Sequence, residues 1–195
     1  MDQTKKRAMA ERPTALLLIN VQQGFDDPKF GPDRSNAHFK DNTSKILKHF
    51  RDQGDALIVH VQHNSIHPES PFYPSKSGVE FYEFSRPLPG EPVIKKDVNS
   101  AFIGTDLERI LRERDIRVLY CVGLTIDQCV STTVRMASNM RVCDRGDDKG
   151  EVILIGDATT GYGYDGIDAE TVHRVHEATL AHEFCTVIQT ADLVE

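Results

Sequence analysis

One cysteine lies where a predicted strand passes into a predicted helix. Cys129 follows the apolar segment Arg117–Val122 and a turn containing Gly123, and the helical pattern Asp127–Met140 begins just before it. The first turn of a helix has unpaired backbone N–H groups and partial positive charge, and both stabilise a thiolate. The same N–H groups can bind a developing oxyanion. Cys129 is therefore a candidate nucleophile; the alternative is a small buried residue that packs the helix onto the sheet.

Polar residues follow two other predicted strands. The segment Pro92–Lys96 ends in the pair Lys95 and Lys96, and the apolar run Ala15–Ile19 is followed by Asn20. An ammonium group at the end of a strand can stabilise a thiolate and a carbonyl oxygen, although most lysines are solvated surface charges. A polar residue after an apolar run is a natural active-site position. The alternative for Asn20 is a cap of the strand end.

Segments of strand length alternate along the chain with segments of helical periodicity. Strands are predicted at Ala15–Ile19, Ala56–Val61, Pro92–Lys96, Arg117–Val122, Glu151–Ile155 and Cys185–Gln189. Helices are predicted at Ala37–Gln53, Thr105–Arg114, Asp127–Met140 and Asp168–Phe184. This alternation is typical of βαβ units, so we expect a three-layer α/β/α, doubly wound, mainly parallel six-stranded sheet. Ligands of such sheets bind beyond the carboxyl ends of the strands.

Composition favours a single globular domain. The chain has 195 residues, of which 39% are apolar, and a net charge of −7. We expect a domain over residues 13–195 and a flexible polar tail over residues 1–12. The acidic balance disfavours nucleic-acid and anionic-membrane partners, and no apolar run is long enough to span a bilayer. The first residues lack the apolar core of a signal peptide, so we expect a cytoplasmic protein with reduced thiols.

The other three cysteines are not expected to be nucleophiles. Cys121 and Cys185 lie in apolar runs and are expected to be buried. Cys143 lies among polar residues and is expected to be a surface thiol.

The segments around Asn20, Lys96 and Cys129 form an ordered set of motifs. They read ALLLINVQQGF, KKDVNSAFIGTDLE and VGLTIDQCVSTT. They resemble the segments LLxIDxQxxF, K-x-x-x-S-A-F-x-G-T-x-L and G-x-x-T-D-x-C-V of the isochorismatase-like superfamily of hydrolases, with Ile126 at the position of the usual threonine. The similarity extends from about residue 13 to residue 193, and includes DATTGY and ETVHRVHEATLAHEF.

The resemblance implies a doubly wound fold with an Asp-Lys-Cys triad, in which the carboxylate takes the thiol proton and the thiolate attacks a carbonyl carbon. The nucleophile then falls on Cys129 and the lysine on Lys96. Lys95 points the other way, because neighbouring residues of a strand alternate. The resemblance also implies a non-proline cis peptide between Leu124 and Thr125, and an oxyanion hole formed by the backbone N–H groups of Thr125 and Cys129.

The chain departs from the family at the triad carboxylate, which falls on Asn20. An amide is not a base, so it cannot take a proton from a thiol. One possibility is that Cys129 ionises with help from Lys96 and the helix dipole. A second is that another acid takes the role, with candidates Asp26, Asp27 and Asp127. A third is that the chain binds a ligand with little or no catalysis.

No metal or cofactor is expected. Nicotinamidases of the superfamily bind a metal through an Asp-x-His pair, which is absent from the matching stretch with His60, His63 and His67. We therefore expect these histidines to be hydrogen-bonded or at the surface. The substrate pocket is expected to include four aromatic residues, whose alternative role is loop packing: Phe25, Phe81, Tyr82 and Tyr162.

The resemblance implies a cysteine hydrolase for a small amide, carbamoyl or related C–N substrate. The first alternative is a weak or inactive member of the same fold that binds a small-molecule ligand. The second is an isochorismate pyruvate-hydrolase, which cleaves a vinyl ether; Cys129 argues against it, because true isochorismatases tend to lack the nucleophilic cysteine. Relatives are usually oligomeric, so a homodimer or homotetramer is expected.

Overall fold

A computed structural model of the protein describes residues 12–194. The strands are β1 (Thr14–Ile19), β2 (Leu57–His63), β3 (Val93–Lys96), β4 (Val118–Leu124), β5 (Glu151–Thr160) and β6 (Thr186–Ile188). They form one sheet in the order β3-β2-β1-β4-β5-β6, and every neighbouring pair is parallel. The helices are α1 (Phe39–Gln53), α2 (Leu107–Glu113), α3 (Ser131–Asn139) and α4 (Ala169–Glu183). The predicted doubly wound α/β fold is confirmed.

The apolar run of β1 is continuous because both faces of the sheet are covered. Leu16 and Leu18 belong to the core on one face, together with Ile46 of α1. Leu17 belongs to the core on the other face, together with Val134 of α3. Successive strand residues point to opposite faces, so a strand between two layers must be apolar at every position. Burial of each such leucine contributes roughly 1.5–3 kcal/mol to folding.

The order of the strands reverses between β1 and β4. Chain progression runs outward from β1 through β2 to β3, and in the opposite direction from β4 through β5 to β6. A crevice forms beyond the carboxyl ends of the strands at such a switch point. Gly123 pairs with Ile19 there, and a Cβ atom at this position would overlap the Ile19 carbonyl oxygen. Glycine therefore allows the two strands to approach closely at the crevice.

The helix predicted at Asp127–Met140 is divided in the structure. Its first part, Ile126–Val130, is a π-helical turn, and α3 begins only at Ser131. The Val130 N–H donates to the Thr125 carbonyl oxygen five residues earlier, at 3.1 Å. Cys129 therefore lies in a widened turn that precedes the α-helix.

The expectation that Cys143 is a surface thiol is wrong. Its side chain is buried, with 2% of the residue exposed. The segment after α3 folds back over it, because Arg117 Nε donates to the Cys143 carbonyl oxygen at 2.8 Å and Gly150 packs against the Cys143 backbone. Burial raises the pKa of this thiol to about 12.

Of the predicted tail, residues 1–11 lie outside the described part of the chain. Arg12 is described, and its Nη2 donates to the Lys149 carbonyl oxygen at 2.6 Å. Among residues 12–194, the helices are too short or too polar to cross a membrane.

Candidate active site

The structure brings Lys96 and Cys129 into contact at the carboxyl edge of the sheet. Lys96 is the last residue of β3, and Cys129 lies in the π-helical turn after β4. The Lys96 Nζ and the Cys129 Sγ are 3.4 Å apart, which is a hydrogen-bond distance for a sulfur acceptor. Both residues are buried, with exposed fractions of 4% and 8%. Lys95 is exposed, as strand alternation predicts.

The Lys96 side chain has three hydrogen-bond partners. Besides the sulfur, Nζ donates to the Val98 carbonyl oxygen at 2.9 Å and lies 3.4 Å from His63 Nδ1. An ammonium group has three N–H donors, so sulfur, oxygen and nitrogen account for all of them. Burial lowers the pKa of Lys96, and the nearby Cys129 sulfur acts in the opposite direction. Lys96 therefore releases a proton more readily than an exposed lysine.

Asn20 lies at the same edge, directly after β1, and is 1% exposed. Its Nδ2 donates to the Leu124 carbonyl oxygen at 3.1 Å, which fixes the orientation of the amide because that oxygen can only accept. Its Oδ1 has no hydrogen-bond partner within residues 12–194. The residue has φ of 52°, in the left-handed region that asparagine and aspartate tolerate best among residues with a Cβ. The Oδ1 atom is thus a buried acceptor without a partner among the described residues.

The turn that carries the nucleophile candidate begins at Thr125. The peptide bond between Leu124 and Thr125 is cis. The Thr125 carbonyl oxygen accepts the N–H groups of Gln128 and Val130, each at 3.1 Å. Thr125 and Cys129 are both buried in this turn. Their backbone N–H groups remain a predicted oxyanion hole.

Asp26 is not placed to replace the missing carboxylate. Its carboxylate accepts hydrogen bonds from Tyr82 Oη at 2.8 Å and Lys40 Nζ at 2.9 Å, and forms an ion pair with Arg34 at 3.2 Å. Partial burial acts to raise the pKa of Asp26, but the hydrogen bonds from Lys40 and Tyr82 outweigh it and lower the pKa. A carboxylate held in this way is a weak base.

Asp27 is also engaged elsewhere, whereas Asp127 keeps a buried oxygen, Oδ1, without a hydrogen-bond partner within residues 12–194. Asp27 accepts the backbone N–H of Lys29 at 3.0 Å, and the charge of Asp127 acts on Tyr164 and His176. In the part of the chain that the structure describes, no ion pair or hydrogen bond joins either carboxylate to the Lys96–Cys129 pair.

The three clustered histidines have separate environments. His60 is buried, with Nε2 2.8 Å from Glu91 Oε2, and His67 is exposed. His63 lies beside Lys96, because the register of β2 and β3 pairs these two residues. Among the described residues, no three side chains of His, Cys, Asp or Glu are grouped as metal ligands, and the expected absence of a metal stays a prediction.

The aromatic residues predicted to line the pocket are all buried, with at most 7% exposed: Phe25, Phe81, Tyr82 and Tyr162. The Phe25 ring lies 4.6 Å from that of Phe72, and Tyr162 Oη donates to the Phe25 carbonyl oxygen at 2.6 Å. Phe72 also contacts His63, with ring centroids 5.7 Å apart. These are packing contacts. Phe72 links them to the candidate site, because it contacts both Phe25 and His63. A role in the substrate pocket stays a prediction.

Comparison with known proteins agrees with this architecture. The family model described as Isochorismatase domain matches residues 14–192. The chain therefore belongs to the isochorismatase family, whose members are hydrolases.

Individual relatives cover nearly the whole chain. The uncharacterized isochorismatase family protein YrdC of Bacillus subtilis is 38% identical, over 94% of this chain and 96% of that protein. An isochorismatase-family structure from Chromobacterium violaceum is 34% identical, covers 93% of this chain and 91% of that one, and has a TM-score of 0.82. The ureidoacrylate amidohydrolase RutB of Agrobacterium fabrum is 26% identical, over 96% of this chain and 75% of its own length.

Proposed function

We propose that the protein hydrolyses a C–N bond of a small amide or carbamoyl compound, with Cys129 as the nucleophile and Lys96 as its partner. The observation that carries this proposal is the 3.4 Å contact between the Lys96 Nζ and the Cys129 Sγ, buried beyond the carboxyl ends of the strands. A nucleophile and a group that can hold its proton, within hydrogen-bond reach, are the minimum for covalent catalysis.

The thiol proton has a receiver even though position 20 carries an amide. Burial lowers the pKa of Lys96, so its neutral amine can take the Cys129 proton and leave a thiolate beside an ammonium. The thiolate attacks the carbonyl carbon, and the backbone N–H groups of Thr125 and Cys129 hold the resulting oxyanion. Lys96 returns the proton to the leaving nitrogen as the C–N bond breaks.

The second half of the cycle uses the same two side chains. Water attacks the acyl carbon of the thioester at Cys129, and the Lys96 amine takes the proton that the water loses. The C–S bond then breaks, which releases the carboxylic acid and regenerates the thiolate. The sum of the steps is amide plus water giving acid plus amine, with no other reactant.

The open acceptor at Asn20 supports a substrate that carries nitrogen. Its buried Oδ1 lacks a partner within residues 12–194, and an amide or ureido N–H supplies the donor that it lacks. RutB, whose name describes an ureidoacrylate amidohydrolase, is a relative over most of the chain. The rival function, a weak or inactive ligand-binding member of the fold, is favoured by the absence of a carboxylate at position 20.

The first test measures whether Cys129 is an activated thiol. The protein is treated with iodoacetamide, and the labelling rate of each cysteine is followed by mass spectrometry. We expect Cys129 to react at least about tenfold faster than Cys185, which is partly exposed but has a pKa raised to about 12 by burial. Equal rates would remove the nucleophile from the proposal.

The second part of the test identifies the reaction. Small amides and ureido compounds are screened for release of ammonia or amine with the natural protein and with Cys129→Ala, which we expect to lower turnover by at least about 10³-fold. The variant Cys185→Ala is the matched control and is expected to keep its turnover. Pyruvate release from isochorismate, with no turnover of any amide, would replace this proposal by the vinyl-ether reaction.

The proposal includes a homodimer or homotetramer located in the cytoplasm. Light scattering coupled to size-exclusion chromatography, and fractionation of the cells that produce the protein, test these two parts.

A further inference from the structure

His63 is held rigidly beside Lys96. It ends β2 and pairs in register with Lys96 on β3, with Nδ1 3.4 Å from Nζ. Gln22 binds its backbone on both sides, because Oε1 accepts the His63 N–H at 2.8 Å and Nε2 donates to the His63 carbonyl oxygen at 3.0 Å. The Phe72 ring meets the imidazole edge-on, at an angle of 78°. These contacts fix the His63 backbone and pack one side of its ring, while Nδ1 faces Lys96.

In its ammonium form, Lys96 depends on His63 for one of its three acceptors. The other two are the Cys129 sulfur and the Val98 carbonyl oxygen. The Asn20 Oδ1 atom is not among its partners. Removal of His63 Nδ1 would leave a buried N–H without an acceptor, and the amine would be free to turn away from the sulfur.

The surroundings of His63 keep its imidazole neutral at neutral pH. The charged groups that face it are Lys96, at the end of β3, and Asp97, directly after that strand. Gln22 and Phe72, which contact it from the other elements, are uncharged, and Cys129 lies beyond Lys96. Burial and the Lys96 charge lower the pKa of His63 to about 4, while Asp97 acts in the opposite direction. Because Nδ1 accepts, the imidazole proton is on Nε2 at neutral pH.

A neutral acceptor has a different effect from a carboxylate. A carboxylate beside Lys96 would stabilise the ammonium and oppose its loss of a proton. An imidazole nitrogen orients the amine by a hydrogen bond without adding negative charge. Lys96 can therefore exchange a proton with the Cys129 thiol, as the proposed cycle requires.

We propose that His63 is a positioning residue that holds the Lys96 amine against the Cys129 sulfur. This inference rests on the proposed function, since it concerns the same nucleophile. It assigns no contact with the substrate to His63.

The experiment compares three variants by the rate at which iodoacetamide labels Cys129 at pH 7. His63→Asn places an amide oxygen one bond beyond Cγ, where Nδ1 stands. His63→Gln places it one carbon farther, and His63→Phe removes the acceptor. We expect His63→Asn to stay within about threefold of the natural protein, and the other two to fall at least about tenfold. Cys185 labelling and circular dichroism in the same samples report on folding.

The pH dependence adds a second readout. Below about pH 5 the natural protein starts to protonate His63, which then cannot accept from Lys96 and repels it. His63→Asn has no such step, so its labelling rate relative to the natural protein should rise as the pH falls toward 4.

The outcomes separate the two proposals. If Cys129 reacts fast in the natural protein and all three variants match it, the role of His63 is wrong and the proposed function stands. If all three variants are equally slow, the side chain has only a structural role and the inference is also wrong. If Cys129 of the natural protein reacts no faster than Cys185, the proposed function fails, and the inference fails with it.

Discussion

Two polar clusters each include a histidine of β2, and they differ in whether a carboxylate is present. In the Glu91 cluster (Glu91, Arg51 and His60), the carboxylate of Glu91 accepts from Arg51 Nε and Nη2, each at 2.8 Å, and lies 2.8 Å from His60 Nε2. In the Lys96 cluster (Lys96, His63 and Cys129), a buried amine meets a neutral imidazole and a thiol. The two histidines are three residues apart on β2.

The electrostatic settings of the clusters differ accordingly. Burial acts to raise the pKa of Glu91, but hydrogen bonds from Arg51, the Leu88 N–H and His60 outweigh it and lower the pKa to about 2. Burial lowers the pKa of Lys96, and no carboxylate among residues 12–194 hydrogen-bonds to its amine. Removal of one partner from a buried ion pair destabilises the fold because it leaves an uncompensated charge, whereas a buried amine without a carboxylate partner exchanges a proton more readily.

The largest effect is expected from breaking the Lys96 cluster itself. Lys96→Met removes the proton acceptor of Cys129 and should lower turnover and Cys129 labelling by about 10²- to 10⁴-fold. Lys95→Met is the matched control, because the neighbouring residue is exposed and should change either rate by less than about twofold. Equal losses in the two variants would show that the rates depend on the integrity of strand β3 and not on the Lys96 amine.

The Glu91 cluster should respond in stability. Glu91→Gln weakens the ion pair with Arg51 and the contact with His60, and should lower the free energy of unfolding by about 2–3 kcal/mol. Urea denaturation measures this change, and Cys129 labelling should stay unchanged. If Glu91→Gln instead slowed Cys129 labelling and left the free energy of unfolding unchanged, the two clusters would not act independently.

The same variant gives a pH test with a defined sign. The pKa of Glu91 is about 2 in the folded protein, below its ordinary value of 4.5. Its contribution to stability is therefore full above about pH 4.5 and is lost as the pH falls toward 2. The stability difference between the natural protein and Glu91→Gln should shrink over that interval and be constant above it.

The smallest effect on turnover is expected when a carboxylate is introduced at the edge of the sheet that carries the Lys96 cluster. Asn20→Asp adds a carboxylate at the same edge of the sheet as Lys96, which favours the ammonium and should move the pH dependence of Cys129 labelling toward higher pH. Turnover should change by less than about tenfold, because Lys96 already serves as the acceptor. A gain of more than about 10²-fold, with unchanged ligand affinity, would favour the weak-catalyst alternative.

The Lys96 cluster could be predicted in part from the sequence. Apolar runs located β1, β3 and β4, and parallel strands bring their carboxyl ends to one edge, so Lys96 and Cys129 were expected together. Their contact at 3.4 Å agrees with that expectation. The choice of Lys96 came from the resemblance to the family, and strand alternation then placed Lys95 on the opposite face.

Other features depend on contacts that the sequence does not display. His63 could be told from His60 only by the register of β2 against β3, which pairs His63 with Lys96. The π-helical turn was missed because Ile126 and Val130 are apolar residues four positions apart, a spacing that an ordinary helix also shows. Cys143 has polar neighbours in the sequence, but the chain folds back and buries it.

The backbone conformation at Asn20 limits which residues can occupy this position. Its φ of 52° suits asparagine, aspartate and glycine. The backbone conformation therefore restricts which residues fit at position 20, whatever the chemistry of the site requires. Asparagine and aspartate are nearly the same size and are a single nucleotide apart. Exchange of the amide for a carboxylate at this corner therefore suits the backbone conformation, but it removes the hydrogen bond that Asn20 Nδ2 donates to the Leu124 carbonyl oxygen and leaves two acceptor oxygens facing each other.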